Sequence, residues 1–580
     1  MEKRYILGAL LCFVALILWQ VYLGPSISPP MPQAVPPPPP GEKVADAAPA
    51  DEPAESEPPI EAPVEADTVQ AEQVEEITVE TDVFRVVLTN HGGRVVSWTL
   101  NEYLDGDGNP LQVVSPSDSD GGRGPLGILL SDPGLSKEVE NALYRVERES
   151  LERDQGRGAG TLVRFRWSDG RGLEVVKELE FRDGEYLVGV DAEVVDRGRR
   201  LPAWLAWGPG FQTRHDANGG LSSYYFANQV TWDMGGLVTR APGAFPFRRD
   251  IGEGISESGR LRWAGIEDQY FAALLVPRTG EGEFRAWPVD VVSSSAAAEP
   301  GAAAAPAETQ SRPMVAVNVA DAGALLYVGP KQYDMLQALG YDLQKVVWFS
   351  SISLFALMAR LLYEVLVWIH AHAVPNYGVA IVIATVMLRI VLFPLNQFSM
   401  VRIKKSQTEM QKLQPKINAI RNKYRKKKDT ESRAQMNQEV MALYKKEGIN
   451  PMGGMMGCLP MLAQFPILIG FYDMLVAAVE LRGAPFILWI EDLTLMDPYL
   501  VTPLLMGATM FIQQKMSATK MGDPTQQRIM MFTPVIFTVM FIQLPSGLVL
   551  YWFVNNLLGI GQQWLVNRHV GRLEKASQGA

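Results

Sequence analysis

The sequence is poor in the residues that build catalytic and metal sites. Its 580 residues include only 2 cysteines and 5 histidines. Cys12 and Cys458 both lie in apolar segments, which excludes a disulfide framework. No HExxH, GxSxG or GxxxxGK[ST] pattern occurs, so the common zinc-protease, serine-hydrolase and nucleotide-binding signatures are missing. We therefore expect no catalytic residue, no metal and no cofactor.

The negative charge of the chain is concentrated in one segment. The formal net charge is -11, yet fourteen Asp and Glu residues stand between Glu42 and Asp82, against Lys43 alone. The rest of the chain therefore carries a charge of about +2. The whole-chain value gives no support to an acidic protein with basic partners.

The first 76 residues are predicted to be a membrane anchor followed by a flexible tether. In residues 1–24, an apolar run of about 20 residues follows Lys3 and Arg4. This pattern is typical of an uncleaved membrane span with a cytoplasmic N-terminus. Residues 25–76 are rich in Pro, Ala and Glu and almost free of aromatic residues. Such a segment cannot form a core, and we expect a disordered linker.

Residues 77–345 have the pattern of a large antiparallel β-sandwich on the outer side of the membrane. The apolar residues Phe84, Val86 and Leu88 recur at every second position, and Asp-Gly pairs follow several such runs. Residues 293–313, rich in Ala and Pro, are predicted to be a disordered insertion. The only histidines there are His91 and His215, so the domain is interpreted as structural or partner-binding.

The C-terminal third is predicted to be a helical membrane core of five spans, six with the anchor. The positive-inside rule places both termini and the basic tail 568–580 in the cytoplasm. By the same rule, residues 346–374 are predicted not to span the membrane. They are expected to form an interfacial amphipathic helix, with Arg360 and Glu364 on one face. The predicted core spans are 375–395, 458–481, 499–516, 530–544 and 548–566.

Arg389 lies within the span 375–395. A guanidinium does not lose its proton, and an unpaired one is costly in hydrocarbon. Asp473, the acid well inside another span, lies about 13 Å away in depth along ideal helices. Neutral polar residues are more numerous in the spans, which favours a water-filled cavity that an anion visits. Those residues are Thr385, Gln464, Thr509, Gln513, Asn555 and Asn556.

Residues 396–448 are predicted to be a basic cytoplasmic helical hairpin, because apolar residues recur there every seven positions. A solvated hairpin near anionic lipid and a docking arm for an acidic or RNA-bearing partner remain compatible alternatives. The candidate docking residues are Lys404, Lys405, Arg421, Lys423, Arg425, Lys426, Lys427 and Lys428.

Several motifs in this third resemble those of the YidC/Oxa1/Alb3 membrane protein insertases, in the branch found in Gram-negative bacteria. The resemblance covers roughly residues 340–567. It is carried by Thr385, Arg389, Pro394 and Leu395 in TxxxRxxxxPL and by LQPKI (413–417), NPMGG (450–454), QxPI (464–467), APFxLWI (484–490), PVIFT (534–538) and PSGLVLYW (545–552).

The resemblance implies a periplasmic β-supersandwich and a core that inserts and helps to fold membrane proteins in the inner membrane, alone or with the Sec translocon. It places Arg389 in a hydrated groove. The other substrate-groove residues that it implies are Thr385, Gln464, Phe465, Leu468, Met540, Tyr551 and Trp552. Its implied partners are nascent membrane proteins, the Sec translocon with its accessory subunits, the ribosome and anionic lipid.

Two positions depart from the family pattern. Trp552 stands where many relatives have Tyr, and Asp473 stands where an aromatic residue is expected. Two other functions also remain open at this point. A secondary transporter for a small anion would use broken helices and an intramembrane Arg, but no inverted repeat or second charged site is evident. A periplasmic scaffold would explain the β domain without explaining Arg389.

Overall fold

The computed structural model describes residues 68–105, 108–114, 124–154, 157–211, 228–241, 251–252, 254–293, 308–319, 322–350, 352–424, 430–447, 459–517 and 524–578. The predicted anchor, most of the predicted linker and His215 lie outside these ranges. The chain divides into two units. The first comprises Met1–Arg214, Asn228–Glu267 and Ala273–Val328; the second comprises His215–Ala227, Asp268–Ala272 and Gly329–Ala580.

The first unit is built from antiparallel strands, as its alternating sequence predicts. The strands are β1 Glu76–Glu80, β2 Phe84–Thr89, β3 Arg94–Leu104, β4 Pro110–Val114, β5 Ile128–Leu130, β6 Arg145–Leu151, β7 Gly160–Ser168, β8 Leu173–Arg182, β9 Leu187–Asp196, β10 Arg199–Arg200, β11 Ala203–Trp207, β12 Gln229–Met234, β13 Leu237–Ala241, β14 Ile255–Gly259, β15 Leu261–Glu267, β16 Phe271–Pro277, β17 Gly282–Ser293, β18 Glu308–Asn318 and β19 Ala324–Pro330. One helix, α1 (Pro133–Asn141), follows β5.

The strands form three sheets. Four strands pair in the order β1-β2-β3-β4, and five pair in the order β14-β17-β18-β11-β5. The largest sheet has ten strands, in the order β13-β12-β15-β16-β19-β9-β8-β7-β6 with β10 on β9. Asp169-Gly170 and Asp183-Gly184 form the turns on either side of β8, and both glycines have positive φ, a conformation that glycine adopts without a steric penalty.

Aromatic side chains fill the core of this unit. Trp98 packs on Phe84 at 4.9 Å between ring centroids and on Trp207 at 5.8 Å. All three rings are fully buried, and such pairs add about 0.5–1.5 kcal/mol beyond the apolar area that they bury. Phe84, Val86 and Leu88, the alternating residues of the predicted strand, are all buried on β2.

The structure differs from the predicted segment boundaries at two places. The ordered region begins before residue 77, because Val69 pairs with Ser168 and the Ala71 amide donates to the Leu143 carbonyl at 3.0 Å. β18 also begins within the predicted insertion 293–313, since β17 and β18 pair from Phe284 opposite Val317 to Ser293 opposite Glu308. In both places, strands distant in the sequence supply hydrogen-bond partners to residues that composition alone marks as linker or insertion.

The second unit is helical from Tyr333 onward. Its helices are α2 Tyr333–Leu339, α3 Ser353–His372, α4 Tyr377–Tyr424, α5 Thr430–Lys446, α6 Leu459–Ala477, α7 Val501–Ser517, α8 Pro524–Phe541 and α9 Ser546–Gln578. Short 3₁₀ turns occupy Leu343–Val346 and Val479–Leu481. Among the described residues, Ser353–His372 and Tyr377–Pro394 are long and apolar enough to cross a membrane, and Pro466–Ala477 and Phe532–Phe541 are shorter apolar helical segments.

The predicted span 375–395 and the first arm of the predicted hairpin form one continuous helix. α4 runs for 48 residues through Pro394 and Pro415. A proline inside a helix removes one backbone hydrogen bond and bends the helix, but it does not always end it. The connection between the two arms of the predicted hairpin, residues 425–429, lies outside the described ranges. Arg360 and Glu364 form the expected pair on α3, at 3.0 Å.

Candidate functional site

Arg389 is held by a neighbouring helix. It lies on α4, and its guanidinium makes two hydrogen bonds to Asn555 on α9. Nε donates to the side-chain oxygen Oδ1 at 2.7 Å, and Nη2 donates to the backbone carbonyl of the same residue at 2.8 Å. Both acceptors are neutral, so these two hydrogen bonds hold the Arg389 side chain without compensating its positive charge.

A glycine on α9 and a glutamine on α7 complete the surroundings of Arg389. A Cβ atom placed on Gly559 would lie 3.2 Å from Nη2 of Arg389 and 2.4 Å from Nε2 of Gln513. Gly559 follows Asn555 by one helical turn, so the two residues face the same way. The site is therefore formed where α4, α7 and α9 meet.

No carboxylate of the described residues lies within 4.0 Å of Arg389. Asp473 on α6 forms a side-chain hydrogen bond with Ser350 instead, and its other carboxylate oxygen is buried without a partner. This agrees with the sequence argument that the two residues are too far apart in depth to pair.

Tyr551 and Thr385 differ in their relation to Arg389. Tyr551 is buried and stacks on Phe471 of α6, with ring centroids 4.0 Å apart, and it is near enough to Arg389 for an electrostatic interaction. Thr385 is fully buried, and its hydroxyl donates to the Ile381 carbonyl of its own helix at 2.7 Å. That bond is an ordinary one for a threonine inside a helix.

The apolar residues implied by the resemblance lie along other surfaces. Trp552 packs edge-on against Phe541 at 4.9 Å, within a cluster that includes Met506 and Val549. Met540 is exposed on α8 and Leu468 is half-buried on α6. α8 presents an exposed apolar face formed by Phe532, Val535, Ile536, Val539 and Met540. The side chains of Gln464 and Phe465 lie outside the described part of the structure.

The basic hairpin is held together by cross-helix pairs between α4 and α5. Lys423 and Tyr424 both reach Glu439, at 2.6 and 3.0 Å, and Lys416 reaches Glu447 at 2.6 Å. Lys423 is thus paired with Glu439. Arg421 is exposed and Lys404 is half-buried. The side chain of Lys405 and residues 425–428 lie outside the described ranges. Those ranges contain no group of three or more His, Cys, Asp or Glu side chains that could hold a metal ion.

The sequence interpretation named Arg389 and Tyr551 for the groove and Gln513 and Asn555 among the neutral polar residues of the spans, but it did not name Gly559 or predict that Asn555 binds Arg389. A signal for Gly559 was present. Tyr551, Asn555 and Gly559 recur every four positions, so they lie on one face of a helix. Thr509 and Asn556 instead bond the Met506 carbonyl, at 2.8 and 3.5 Å.

Two protein families match this chain over adjoining segments. The model of the YidC periplasmic domain matches residues 76–365, and that of the 60Kd inner membrane protein matches residues 368–573. Similar curated proteins extend over the whole chain. A membrane protein insertase YidC of Syntrophus aciditrophicus (strain SB) is 32% identical over 98% of this chain and 100% of its own length.

A second relative, the membrane protein insertase YidC of Geobacter metallireducens (strain ATCC 53774 / DSM 7210 / GS-15), is 34% identical over 99% of this chain and 100% of its own length. Among solved structures, that of YidC from Thermotoga maritima is 14% identical, with a TM-score of 0.28, over 86% of this chain and 99% of that chain.

Proposed function

The chain belongs to the YidC family of membrane protein insertases, and we propose that it inserts its substrates through a hydrated groove in which Arg389 is the charged element. The family assignment makes it a membrane protein with a periplasmic domain, formed by the antiparallel sheets, and a helical core. It also decides between the alternatives drawn from sequence, in favour of an insertase.

The observation that carries the proposal is the uncompensated charge of Arg389. The guanidinium is partly buried, and both of its hydrogen-bond acceptors belong to Asn555. A cation without a counter-ion at membrane depth is stable only where water or a visiting anion reaches it. The acidic tail of a substrate is such an anion, and a partly dry setting strengthens its attraction to the guanidinium.

The apolar segment of the substrate needs a different path. The exposed face of α8 that includes Met540, together with α6 around Leu468, offers apolar side chains next to lipid. Methionine adapts its shape to many partners, which suits a surface that accepts unrelated substrates. We place the sliding of the hydrophobic segment on these two helices, while the tail crosses beside Arg389.

The energy for this process comes from the substrate and the membrane. Moving apolar surface into lipid is favourable by about 25 cal/mol per Å². The membrane potential contributes about 2.3 kcal/mol per charge per 100 mV. The sequence has no nucleotide-binding motif of the GxxxxGK[ST] type, so these two terms are the proposed driving force.

The remaining assignments concern partners and orientation. The basic hairpin of α4 and α5 would meet the ribosome or anionic lipid through residues such as Lys404 and Arg421. The Sec translocon would share substrates with the helical core. Six spans with both termini in the cytoplasm would place the hairpin on the side from which nascent chains arrive.

The test is insertion of a single-span protein with a short acidic tail into liposomes that contain only this purified chain. Protection of the tail from external protease reports translocation. We expect protection with the wild type, a large loss with Arg389→Ala and partial retention with Arg389→Lys, which keeps the charge. Equal protection with all three variants would contradict the role of Arg389, and no protection with the wild type would contradict autonomous insertion.

A further inference from the structure

Asn555 contacts Arg389 at two points, and both lie on one edge of the guanidinium. The side-chain oxygen accepts from Nε, and the backbone carbonyl accepts from Nη2. A guanidinium is planar, with five N–H donors in a fixed arrangement. Two bonds along one edge therefore fix its plane and direct the opposite edge, with Nη1, away from α9.

Gly559 allows the Arg389 guanidinium to approach the backbone carbonyl of Asn555. The backbone carbonyl of a helical residue is usually shielded by the side chain one turn further along. Here that position has no side chain, and a Cβ atom would lie 3.2 Å from Nη2 and 2.4 Å from Nε2 of Gln513. The Arg389 guanidinium can thus reach the backbone of α9 because residue 559 is a glycine.

We propose that Asn555 and Gly559 form a neutral seat that positions Arg389 and thereby sets the selectivity for acidic substrate tails. The inference rests on the proposed role of Arg389 and adds two residues to it. Asn555 is a positioning residue: it acts through Arg389 and is not required to touch the substrate.

The amide of Asn555 is suited to this task because it carries no charge. A carboxylate in the same place would accept the same hydrogen bond from Nε but would neutralise the guanidinium. The charge would then be satisfied inside the protein, and a substrate tail would gain little by approaching it. An asparagine holds the side chain and leaves its charge available.

Asn555→Asp is the decisive variant, since it keeps the shape and the acceptor while adding a negative charge. Asn567→Asp on the same helix is its matched control, because Asn567 accepts a hydrogen bond from Gln563 at 3.2 Å and is not among the partners of Arg389. Gly559→Ala is paired in the same way with Gly561→Ala, where no atom lies within 4 Å of the added Cβ. Each full-length variant is reconstituted and tested with acidic and uncharged tails.

Asn555→Asp is expected to reduce insertion of the acidic-tailed substrate by about tenfold, the scale of one hydrogen bond to a charged group, and to spare the uncharged tail. Asn555→Ser is neutral and retains an acceptor, so its loss of acidic-tail insertion should be smaller than that of Asn555→Asp. Gly559→Ala should also lower the acidic-to-uncharged ratio, and the Asn567 and Gly561 controls should not. A merely structural role for Asn555 would lower insertion of both substrates equally.

Arg389→Ala, measured in parallel, distinguishes a failure of the proposed seat from a failure of the proposed role of Arg389. If Arg389→Ala lowers the acidic-to-uncharged ratio but Asn555→Asp leaves it at the wild-type value, the seat is wrong and the role of Arg389 stands. If Arg389→Ala leaves the ratio unchanged, both the proposed function of Arg389 and the seat are overturned.

Discussion

The hydroxyl of Tyr363 on α3 donates to Oε1 of Glu480 at 2.5 Å, although the two residues are 117 positions apart in the chain. Glu480 lies in the 3₁₀ turn that follows α6, and its second carboxylate oxygen, Oε2, is buried without a partner. The bond therefore joins α3 to the turn that follows α6, and it satisfies a carboxylate that is otherwise poorly solvated.

Tyr363→Phe removes this donor without changing the shape of the ring. We expect a loss of about 1–3 kcal/mol in the free energy of unfolding, because the Glu480 carboxylate is left without its hydrogen bond. The midpoint of thermal unfolding of the full-length protein in detergent reports the change. Tyr499→Phe, at an exposed tyrosine, is the control. Equal midpoints for wild type and Tyr363→Phe would show that the bond contributes nothing.

Gly470 sets the contact between α6 and α3. A Cβ atom there would lie 2.7 Å from Cβ of Met358 and 2.9 Å from the backbone nitrogen of Ala359. Gly470→Ala must push α3 and α6 apart, and we expect it to lower the free energy of unfolding by about 1–3 kcal/mol. Its unfolding midpoint should fall, whereas Gly561→Ala, made in open space, should match or exceed the wild type. A Gly470→Ala midpoint no lower than that of Gly561→Ala would refute this close contact.

Lys177 gives the periplasmic domain a pH-dependent stability. Its fully buried ammonium donates to the carbonyls of Gly93 and Leu126 at 2.5 and 2.7 Å. Burial, and secondarily the charge of Arg94, lower the pKa of Lys177 to about 7. The unfolded chain, with a lysine pKa of about 10.4, therefore binds this proton more readily than the folded chain between these two values.

Stability must rise with pH across that window. The free energy of unfolding of the wild type relative to Lys177→Met should increase by roughly 1.4 kcal/mol per pH unit from pH 7 to 10. Unfolding midpoints of the full chain at pH 7, 8 and 9, followed by tryptophan fluorescence, measure the trend. Lys137→Met, at an exposed lysine, should show no such trend. A difference in the free energy of unfolding between wild type and Lys177→Met that does not change with pH would contradict the lowered pKa of Lys177.

Asp497 caps α7 and accepts four hydrogen bonds: from Nε1 of Trp489, from the backbone amides of Tyr499 and Thr502, and from the Thr502 hydroxyl. Burial alone would raise the pKa of Asp497, but these bonds, led by those from Thr502, lower it overall. Its contribution to stability is therefore present at neutral pH and is lost as the pH falls through this lowered value.

Asp497→Asn puts an amide nitrogen in the place of a carboxylate oxygen that accepts hydrogen bonds. We expect it to lower the free energy of unfolding by about 1–3 kcal/mol at pH 7. The deficit relative to the wild type should stay nearly constant from pH 7 to 4 and shrink only below about pH 3.9, the pKa of an aspartate in the unfolded chain, because the unfolded chain then binds the proton before the folded chain does. Unfolding midpoints at pH 7, 4 and 2.5 measure it. An equal deficit at all three values would mean that the charge of Asp497 is unimportant.

The sequence was most informative where a short local pattern or a single charge determines the structure. The period-two alternation of Phe84, Val86 and Leu88 predicted a strand, and the charge of Arg389 predicted a polar site, because a guanidinium is costly to bury in an apolar environment. The boundaries were less predictable. Pro394 does not end α4, and the pairing of Val69 with Ser168 depends on a strand that lies far away in the chain.

The contacts of the site were also beyond sequence reasoning. Thr385 lies one turn from Arg389 on the same helix and was expected to accompany it, yet its hydroxyl bonds the Ile381 carbonyl. Asn555 is 166 positions away and makes both bonds to the guanidinium. Helix periodicity shows which residues share a face, but the packing of α4 against α9 decides which faces meet.

The most direct test of the account is a double-mutant cycle between Arg389 and the charge of the substrate tail. Insertion rates are measured for wild type and Arg389→Ala, each with an acidic tail and with the matching Asn- or Gln-substituted tail. We expect a coupling free energy of about 0.5–3 kcal/mol, the range for groups that interact directly. A coupling near zero, with Arg389→Ala slowing both tails equally, would contradict the claim that Arg389 acts by attracting the tail.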